Sequence, residues 1–311
     1  MTESVLNEAL FRHSFIVAVL LGTLCRFLVL RINDKQYPMR PQDYIEQIIM
    51  AGLTSSLGAI AFPALMDKEF AALTFLAVGI QQFQGLSQQE KITLSNVDDD
   101  ELVPKGIAYI EEISSTYEVR SYVSLFSALF SSTAYILVSK RFDANIWICT
   151  GVAVLAALIV GLIFRRVLRR NSIGDIADIK EAKIYFEGPI MKVNGVVITN
   201  IGLKSTRDKF LKNGIAIEVV PKDRKDFGVV NDLGQRDAII HNIFIHTGID
   251  KDVDEHDIVS TSKVDLKTKS VLIVFMPILN DMELIKKVAA STPILEVSKG
   301  KQSDYKNLIK Q

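Results

Sequence analysis

The chain has 311 residues, of which 49% are apolar, and its mean hydropathy is +0.24. Its 36 Lys and Arg residues balance 36 Asp and Glu residues, and a net charge of zero argues against nucleic acid as the main partner. Nearly all long apolar stretches lie in the first 170 residues, and most of the charge lies after them, so the sequence predicts a membrane domain followed by a soluble domain.

Five apolar stretches are candidates for helices that cross a membrane, which needs about 20 mostly apolar residues. Three meet this length well, and a shorter one carries Arg26, whose side chain we expect to extend toward the membrane interface. The stretch 70–83 is marginal and could instead be a re-entrant or interfacial helix. In chain order the stretches are 15–30, 47–66, 70–83, 121–138 and 146–164.

A charged helix is predicted at 105–120, directly before the fourth apolar stretch. Ile107, Ile110 and Ile113 recur there at helical spacing, and Glu111 and Glu112 lie off that stripe. No helix breaker separates the two segments, so we expect one continuous helix. The charged part either rests its apolar stripe on the membrane surface or on the soluble domain, or is a solvated stem.

Basic residues after the last apolar stretch predict the orientation. The sequence "RRVLRR" occupies 165–170, and basic residues favour the cytoplasmic side. We therefore predict a transmembrane helical domain over 1–170, with a cytoplasmic helical loop at 84–120, and a soluble cytoplasmic α/β domain over 171–311. About five spans fit the charges better than four, because five also place Arg31, Lys35 and Arg40 in the cytoplasm.

The soluble domain begins with strand patterns at 183–187 and 190–199, and the dipeptide Asn194-Gly195 predicts a hairpin turn inside the second. Ser205 is predicted to cap a helix that ends at Gly214, and a strand follows at 215–221. The segment 234–248 then predicts a helix that ends at its final glycine.

The last third of the soluble domain predicts a parallel strand-helix-strand unit. The segment "SVLIVFMP" (270–277) is typical of a fully buried strand. Asn280 is predicted to cap the next helix, with Glu283 completing a capping box, and "PILEVS" (293–298) is predicted to return as a strand. The fold class is thus a polytopic α-helical membrane domain followed by a mixed α/β domain.

The stretch "NDLGQRDAIIHN" (231–242) holds the densest cluster of functional residue types. Asp232, Gln235, Arg236 and His241 lie near the N-terminus of a predicted helix, where backbone N–H groups attract anions. Acidic residues in this position also simply cap helices, and both interpretations stay open.

No cofactor and no metal site is predicted. The acidic run 250–257 lacks the glycine and the glutamate of a calcium loop, and the histidines do not share a helical face at ligand spacing. Cys25 and Cys149 lie in apolar stretches, as buried small residues do, and imply no disulfide framework. Nucleophile-elbow, phosphate-loop and zinc-protease motifs are absent from the sequence, so catalysis stays an open question.

Three segments of the sequence together carry a family resemblance: "YPMRPQDYIEQII" (37–49), "LVPKGIAYIEEIS" (102–114) and "NDLGQRDAIIHNI" (231–243). They resemble the YIEGIA family, membrane proteins of spore-forming Firmicutes. Within "YIEEIS", Glu112 stands for the family's glycine and Ser114 for its alanine, which puts close helix packing at Glu112 in doubt. The resemblance implies a role in sporulation and in controlling the turnover of spore-envelope proteins, without a catalytic apparatus that maps onto these residues.

These observations predict a sporulation-associated protein of the cell membrane or forespore membrane whose cytoplasmic domain binds a protein partner or substrate. The alternative is a membrane-embedded protease, and a transporter is a weaker third hypothesis. Besides the lipid bilayer, a second copy of the chain is an open partner, and no nucleic acid is expected. The predicted site unites three segments, with the candidate residues Arg40, Asp43, Tyr109, Glu111, Asp232, Gln235, Arg236 and His241.

Overall fold

A computed structural model describes residues 9–33, 41–68, 70–98, 101–142, 144–167, 171–249 and 260–300. The chain divides into two compact units. The helical unit comprises Met1–Lys91 and Ile113–Arg169, and the α/β unit comprises Ile92–Glu112 and Arg170–Gln311. We call Ile92–Glu112 the arm, because it lies in the chain between the two segments of the helical unit and yet belongs to the α/β unit.

The first five helices contain the apolar stretches of the sequence. Their bounds are α1 Ala9–Asn33, α2 Pro41–Met66, α3 Phe70–Asp98, α4 Ile107–Phe142 and α5 Ile146–Val167. Four of them are long and apolar enough to cross a membrane, judged over the described residues: α1, α2, α4 and α5. Because α3, which contains the marginal stretch 70–83, is not among these four, a fifth crossing helix is not confirmed.

Small residues let the helices of the helical unit approach closely. Ala18, Ala59 and Ala128 form one buried cluster, and a Cβ on Gly58 would lie 2.1 Å from the Leu125 carbonyl oxygen. Many large apolar side chains of the same helices are instead exposed, as on helices that face lipid. The two cysteines are buried and free, as predicted.

Arg26 is buried inside the helical unit, and its predicted extension toward the membrane interface stays a prediction. Only 2% of the residue is exposed. Its Nη2 donates to Gln47 Oε1 at 2.6 Å and its Nη1 to Ser121 Oγ at 3.4 Å. These bonds explain the burial, because charged groups inside a helical membrane domain need polar partners from neighbouring helices.

The α/β unit contains seven strands and several short helices in its described part. In chain order they are α6 Ile173–Ile176, β1 Ala177–Ala182, β2 Ile184–Glu187, β3 Ile190–Val193, β4 Val196–Asn200, α7 Lys204–Asn213, β5 Ile215–Pro221, a 3-10 turn Arg224–Asp226, α8 Phe227–Asn231, α9 Leu233–Thr247, β6 Ser260–Asp265, β7 Ser270–Phe275, α10 Met282–Ser291 and α11 Glu296–Lys299.

The strands form two antiparallel sheets, one with order β1-β5-β7-β6 and one with order β2-β3-β4. The predicted hairpin is present, and both of its turn residues have a positive φ, 47° at Asn194 and 87° at Gly195. The predicted parallel unit is wrong. Pro293 makes only an isolated bridge to Ser172, Ile294 and Leu295 are irregular, and the end of the predicted last strand is occupied by the short helix α11.

The four-stranded sheet is buried on both faces. Ile217 and Ile273 pack with α9 and α10 on one face, and Leu272 and Val274 pack with the second sheet and Phe210 of α7 on the other. This arrangement explains why β7 is buried at every position and apolar from Val271 to Phe275, a pattern that is common in parallel sheets but here results from a second sheet as cover.

Two predicted helix caps lie one or two residues away from the observed ones. The helix α7 has Leu203 as its N-cap, so Ser205 lies inside the first turn. The helix α10 is capped by Asp281, whose side chain accepts hydrogen bonds from the backbone of Glu283 and Leu284, so Asn280 lies outside the helix. Asn280 and Asp281 are adjacent residues with equally good capping side chains, which sequence pattern alone does not separate.

Replacing Gly58 with Ala should destabilise the helical unit by about 1–3 kcal/mol, because the new Cβ would collide with the backbone of α4 rather than with a flexible side chain. Thermal unfolding of the purified chain in detergent measures this. The matched control is Gly52→Ala in the same helix, where nothing lies within 4 Å of the new Cβ. Equal unfolding temperatures for the two variants would contradict the packing described here.

Candidate functional site

The helix α9 is the centre of the candidate site, because polar as well as apolar residues on it are buried. Ile239 and Ile243 pack into the sheet core. Buried polar residues begin at Asp232, the N-cap, and continue with Gln235, Arg236, His241 and Asn242. Because buried polar groups are nearly always hydrogen-bonded, their partners show which segments α9 holds together.

Gln235 and Asp232 hold the segment Pro293–Ser298 against α9. The Leu295 backbone N–H donates to Gln235 Oε1 at 2.9 Å, and Gln235 Nε2 donates to the Pro293 carbonyl oxygen at 3.0 Å. The Ser298 hydroxyl donates to Asp232 Oδ2 at 2.7 Å. This segment is therefore fixed by side chains of α9 rather than by a neighbouring strand.

Arg236 stabilises the junction between α8 and α9. The residue is 7% exposed, and its Nη2 donates to the Asn231 side-chain oxygen. Burial lowers the pKa of Arg236, and the neighbouring carboxylates of Asp237 and Asp232 oppose that shift. A guanidinium nevertheless stays charged in proteins, so this is a buried cation with a supporting role within its own helix pair.

Glu112 joins the arm to α11. Only 3% of Glu112 is exposed, and its Oε2 accepts a hydrogen bond from the backbone N–H of Glu296, the first residue of α11, at 2.9 Å. A carboxylate at a helix N-terminus satisfies an otherwise unpaired N–H group and favours the helix dipole. The glutamate at the position of the family's glycine thus makes a specific contact inside the α/β unit.

The turn that precedes α4 is held by one carboxylate. Asp98 Oδ1 accepts from the Lys105 backbone N–H at 2.5 Å, and Asp98 Oδ2 accepts from the Gly106 N–H at 3.0 Å. The Lys105 ammonium pairs with Glu101 and lies 3.9 Å from Asp98 Oδ1. Gly106 has a φ of +82°, which a residue with a side chain adopts only at a cost.

His241 binds the backbone of the arm. Its Nδ1 lies 2.7 Å from the Val103 carbonyl oxygen, which can only accept, so Nδ1 carries the proton. The ring meets Tyr109 edge-on, with ring centroids 6.2 Å apart. Burial lowers the pKa of His241, and Lys105 lowers it further, while the bond to Val103 and the carboxylate of Glu101 raise it. The imidazole is accordingly neutral near pH 7.

Close contact between the arm and α9 also requires a glycine. A Cβ on Gly234 would lie 2.6 Å from the Ala108 Cβ. The first turn of α4 therefore packs directly on the first turn of α9, and a side chain larger than hydrogen at Gly234 would separate them.

The structure brings together five of the predicted site residues in the α/β unit: Tyr109, Asp232, Gln235, Arg236 and His241. Glu111 is on the same arm and is exposed, whereas its neighbour Glu112 is buried. Arg40 lies outside the described residues, and so does the side chain of Asp43 in α2.

Arg236 and Glu112 have different partners in the structure. Arg236 donates to Asn231, and Glu112 accepts from the backbone of Glu296. Ile107, predicted to belong to the apolar stripe, is 74% exposed, and the buried face of the arm is formed by Tyr109 and Ile110. Sequence reasoning missed Val103, Glu112 and Ser298, because their partners are distant in the chain. It also missed Asp98, whose partners lie seven and eight positions later, on the other side of a turn.

In the part of the chain that the structure describes, no group of three or more His, Cys, Asp or Glu residues could hold a metal ion. The acidic run 250–257 lies outside that part. The side chains of the site therefore offer hydrogen bonding and charge.

Comparison with known proteins identifies the family. The YIEGIA protein family matches residues 14–305, and the chain belongs to this family. A relative in Bacillus subtilis (strain 168), the "Uncharacterized protein YphB", is 31% identical over 284 residues, which are 91% of this chain and 92% of the relative. No solved structure matches the chain.

Replacing Gly234 with Ala should weaken the binding of the arm to α9, and replacing Ala108 with Gly in the same chain should restore part of it. Gly234→Ala adds a Cβ that would lie 2.6 Å from the Ala108 Cβ, and Ala108→Gly removes the Cβ that it would contact. Unfolding temperatures of the single and double variants form a double-mutant cycle. Additive effects of the two substitutions would contradict this contact, and Gly202→Ala, with nothing within 4 Å, is the control.

Acidification should destabilise the α/β unit through His241. Because its pKa is lowered in the folded chain, the unfolded chain binds the proton more tightly. This contribution is fully present above the ordinary histidine pKa of about 6.5 and is lost as the pH falls below it, by at most about 1.4 kcal/mol per pH unit. His241→Asn keeps a donor for Val103 but cannot titrate. The unfolding temperature of the unmodified chain should therefore fall more steeply between pH 7 and pH 5, and parallel profiles would contradict this role.

Proposed function

We propose that this YIEGIA protein is an integral membrane protein whose α/β unit lies in the cytoplasm and binds a protein partner at the membrane during sporulation. The observation that supports this most is the arm. It is held on α9 by buried side chains, and it continues without a break into α4, a helix long and apolar enough to cross a membrane.

This continuity favours a regulatory or scaffold role. A partner that binds the arm contacts a segment that is continuous with a candidate membrane span. Binding energy at the α/β unit can then be coupled to the membrane helices, as regulation requires. The binding surface comprises the exposed parts of the arm and of α9, which include Ile107, Glu111 and Leu233.

The α/β unit consists of two separate segments of the chain, which we therefore expect on the same side of the membrane. The arm precedes α4, and the rest of the unit follows α5. Two crossings return a chain to the side from which it started, so a hairpin of α4 and α5 allows both parts to be on one side. The arginines that follow Phe164 favour the cytoplasm for that side.

The number of crossings decides the position of the N-terminus. Four crossings place it in the cytoplasm and the basic segment 31–46 outside, whereas five reverse both. We propose five, because the basic residues of 31–46 then lie in the cytoplasm.

Reporter fusions test the orientation. A reporter after Gln311 should be active only if it is a type that works in the cytoplasm, and a reporter at the N-terminus should be active only as an extracytoplasmic type. Extracytoplasmic activity after Gln311 would contradict the cytoplasmic α/β unit. Cytoplasmic activity at the N-terminus would show four crossings and leave the rest of the proposal intact.

Glu111→Ala should reduce sporulation efficiency at an unchanged protein level, because Glu111 is exposed and its loss removes charge from the binding surface. Asp208→Ala, an exposed carboxylate on α7, is the control. Arg236→Ala should also reduce sporulation, but with less protein, because this residue is buried. Normal sporulation with Glu111→Ala would contradict the proposed surface. Loss of a proteolytic product upon substitution of one carboxylate would favour the membrane protease instead.

A further inference from the structure

The loop of the arm, α9 and the start of β6 enclose a cavity of about 350 Å³ in the α/β unit. This volume is at the lower end of the range of small-ligand sites. The lining residues are Leu102, Val103, Pro104, Gly106, Asp237, Ile240 and Ser260. Four of the seven lining residues have apolar side chains, although polar atoms form slightly more of the exposed wall than apolar atoms do. The Asp237 carboxylate and the Ser260 hydroxyl are the side-chain groups among them that can accept hydrogen bonds.

The walls of this cavity are held in place before any ligand arrives. His241 binds the Val103 carbonyl oxygen, and Asp98 binds the backbone N–H groups of Lys105 and Gly106. A loop fixed at both of these points loses little conformational freedom on binding, which favours affinity. Gly106 also leaves the approach to the carboxylate open, since a Cβ there would lie 3.7 Å from Asp237 Oδ2.

Asp237 is exposed where it lines the cavity, so its carboxylate is open to a charged donor. The neighbouring guanidinium of Arg236 donates to Asn231. Desolvation raises the pKa of Asp237, Arg236 lowers it, and Asp232 raises it again. A positively charged donor placed in the cavity would therefore stabilise the ionised form, and charge-assisted hydrogen bonds are about twice as strong as neutral ones.

We propose that this cavity binds an aliphatic primary ammonium group, with the charged nitrogen on Asp237 and Ser260 and the apolar stem along Val103 and Ile240. A lysine side chain has this chemistry, because its stem is apolar and its ammonium carries three donors. This inference rests on the proposed function only for the source of the group, a lysine of the protein partner. The alternative source is a free diamine.

Ligand-detected NMR of the full chain in detergent tests the site without any partner. The probes are Nα-acetyl-lysine N-methylamide, its Nε-acetylated neutral counterpart, and 1,5-diaminopentane. We expect the lysine probe to bind and the neutral probe to bind at least about tenfold more weakly, since it lacks the charge. Tighter binding of the diamine than of the lysine probe would assign the site to a free diamine, and equal binding of the charged and neutral probes would overturn the proposal.

Asp237→Asn is the decisive variant, and Asp208→Asn is its control, because it removes the same charge outside the cavity lining. Asp237→Asn should abolish binding of the lysine probe while the unfolding temperature stays equal or rises, since the folded chain disfavours the ionised carboxyl. Binding should also weaken as acid protonates Asp237. Unchanged binding by Asp237→Asn, or no binding of either amine, would overturn the site while leaving the proposed partner to its own test.

Discussion

The hydrogen bond from the His241 ring to the Val103 carbonyl oxygen, at 2.7 Å, joins the arm to α9. It is one of several bonds that satisfy buried polar groups between segments far apart in the sequence. Glu112 binds the backbone of Glu296, and Gln235 binds that of Leu295. A buried polar group left without a partner costs about 1–3 kcal/mol, so these segments stabilise one another's position.

The same constraint explains how polar residues occupy a helix that is buried on nearly every side. The sheet covers one side of α9 with apolar contacts, such as Phe244 on Phe275 with ring centroids 6.0 Å apart. The arm and the segment Pro293–Ser298 cover the other side through hydrogen bonds. Apolar contacts supply most of the stability of such a unit, whereas directional bonds select one arrangement of the arm. The polar face of α9 therefore sets the geometry of the arm.

The sequence predicts the elements of the α/β unit better than their arrangement. The Asn194-Gly195 hairpin and the helix before Gly248 follow from local turn chemistry and periodicity, and both are present. The prediction of a parallel unit was wrong because the apolar run at β7 indicates only that both faces of the strand are covered. It does not indicate whether helices or a second sheet cover them. The segment Pro293–Ser298 has a strand-like pattern, yet among the described residues it makes only one isolated bridge, to Ser172, and side chains of α9 hydrogen-bond its backbone.

The candidate site was predictable in part for the same reason. Asp232, Gln235, Arg236 and His241 form a conspicuous local cluster, so sequence alone places them together. Glu112 looked like a solvated residue because its partner is 184 positions away. Asp98 likewise belongs to an acidic run, and its role as the acceptor for the turn before α4 emerges only when the chain folds back over Lys105.

Amide hydrogen exchange of the full chain in detergent tests the binding of the arm most directly. The backbone N–H groups of Lys105 and Gly106 donate to Asp98, and that of Glu296 donates to Glu112. If the arm is held on α9 as described, these amides exchange at least roughly 100-fold more slowly than in an unstructured peptide, because exchange requires local opening. Exchange of the arm at the unstructured rate, while α9 itself remains protected, would contradict the account.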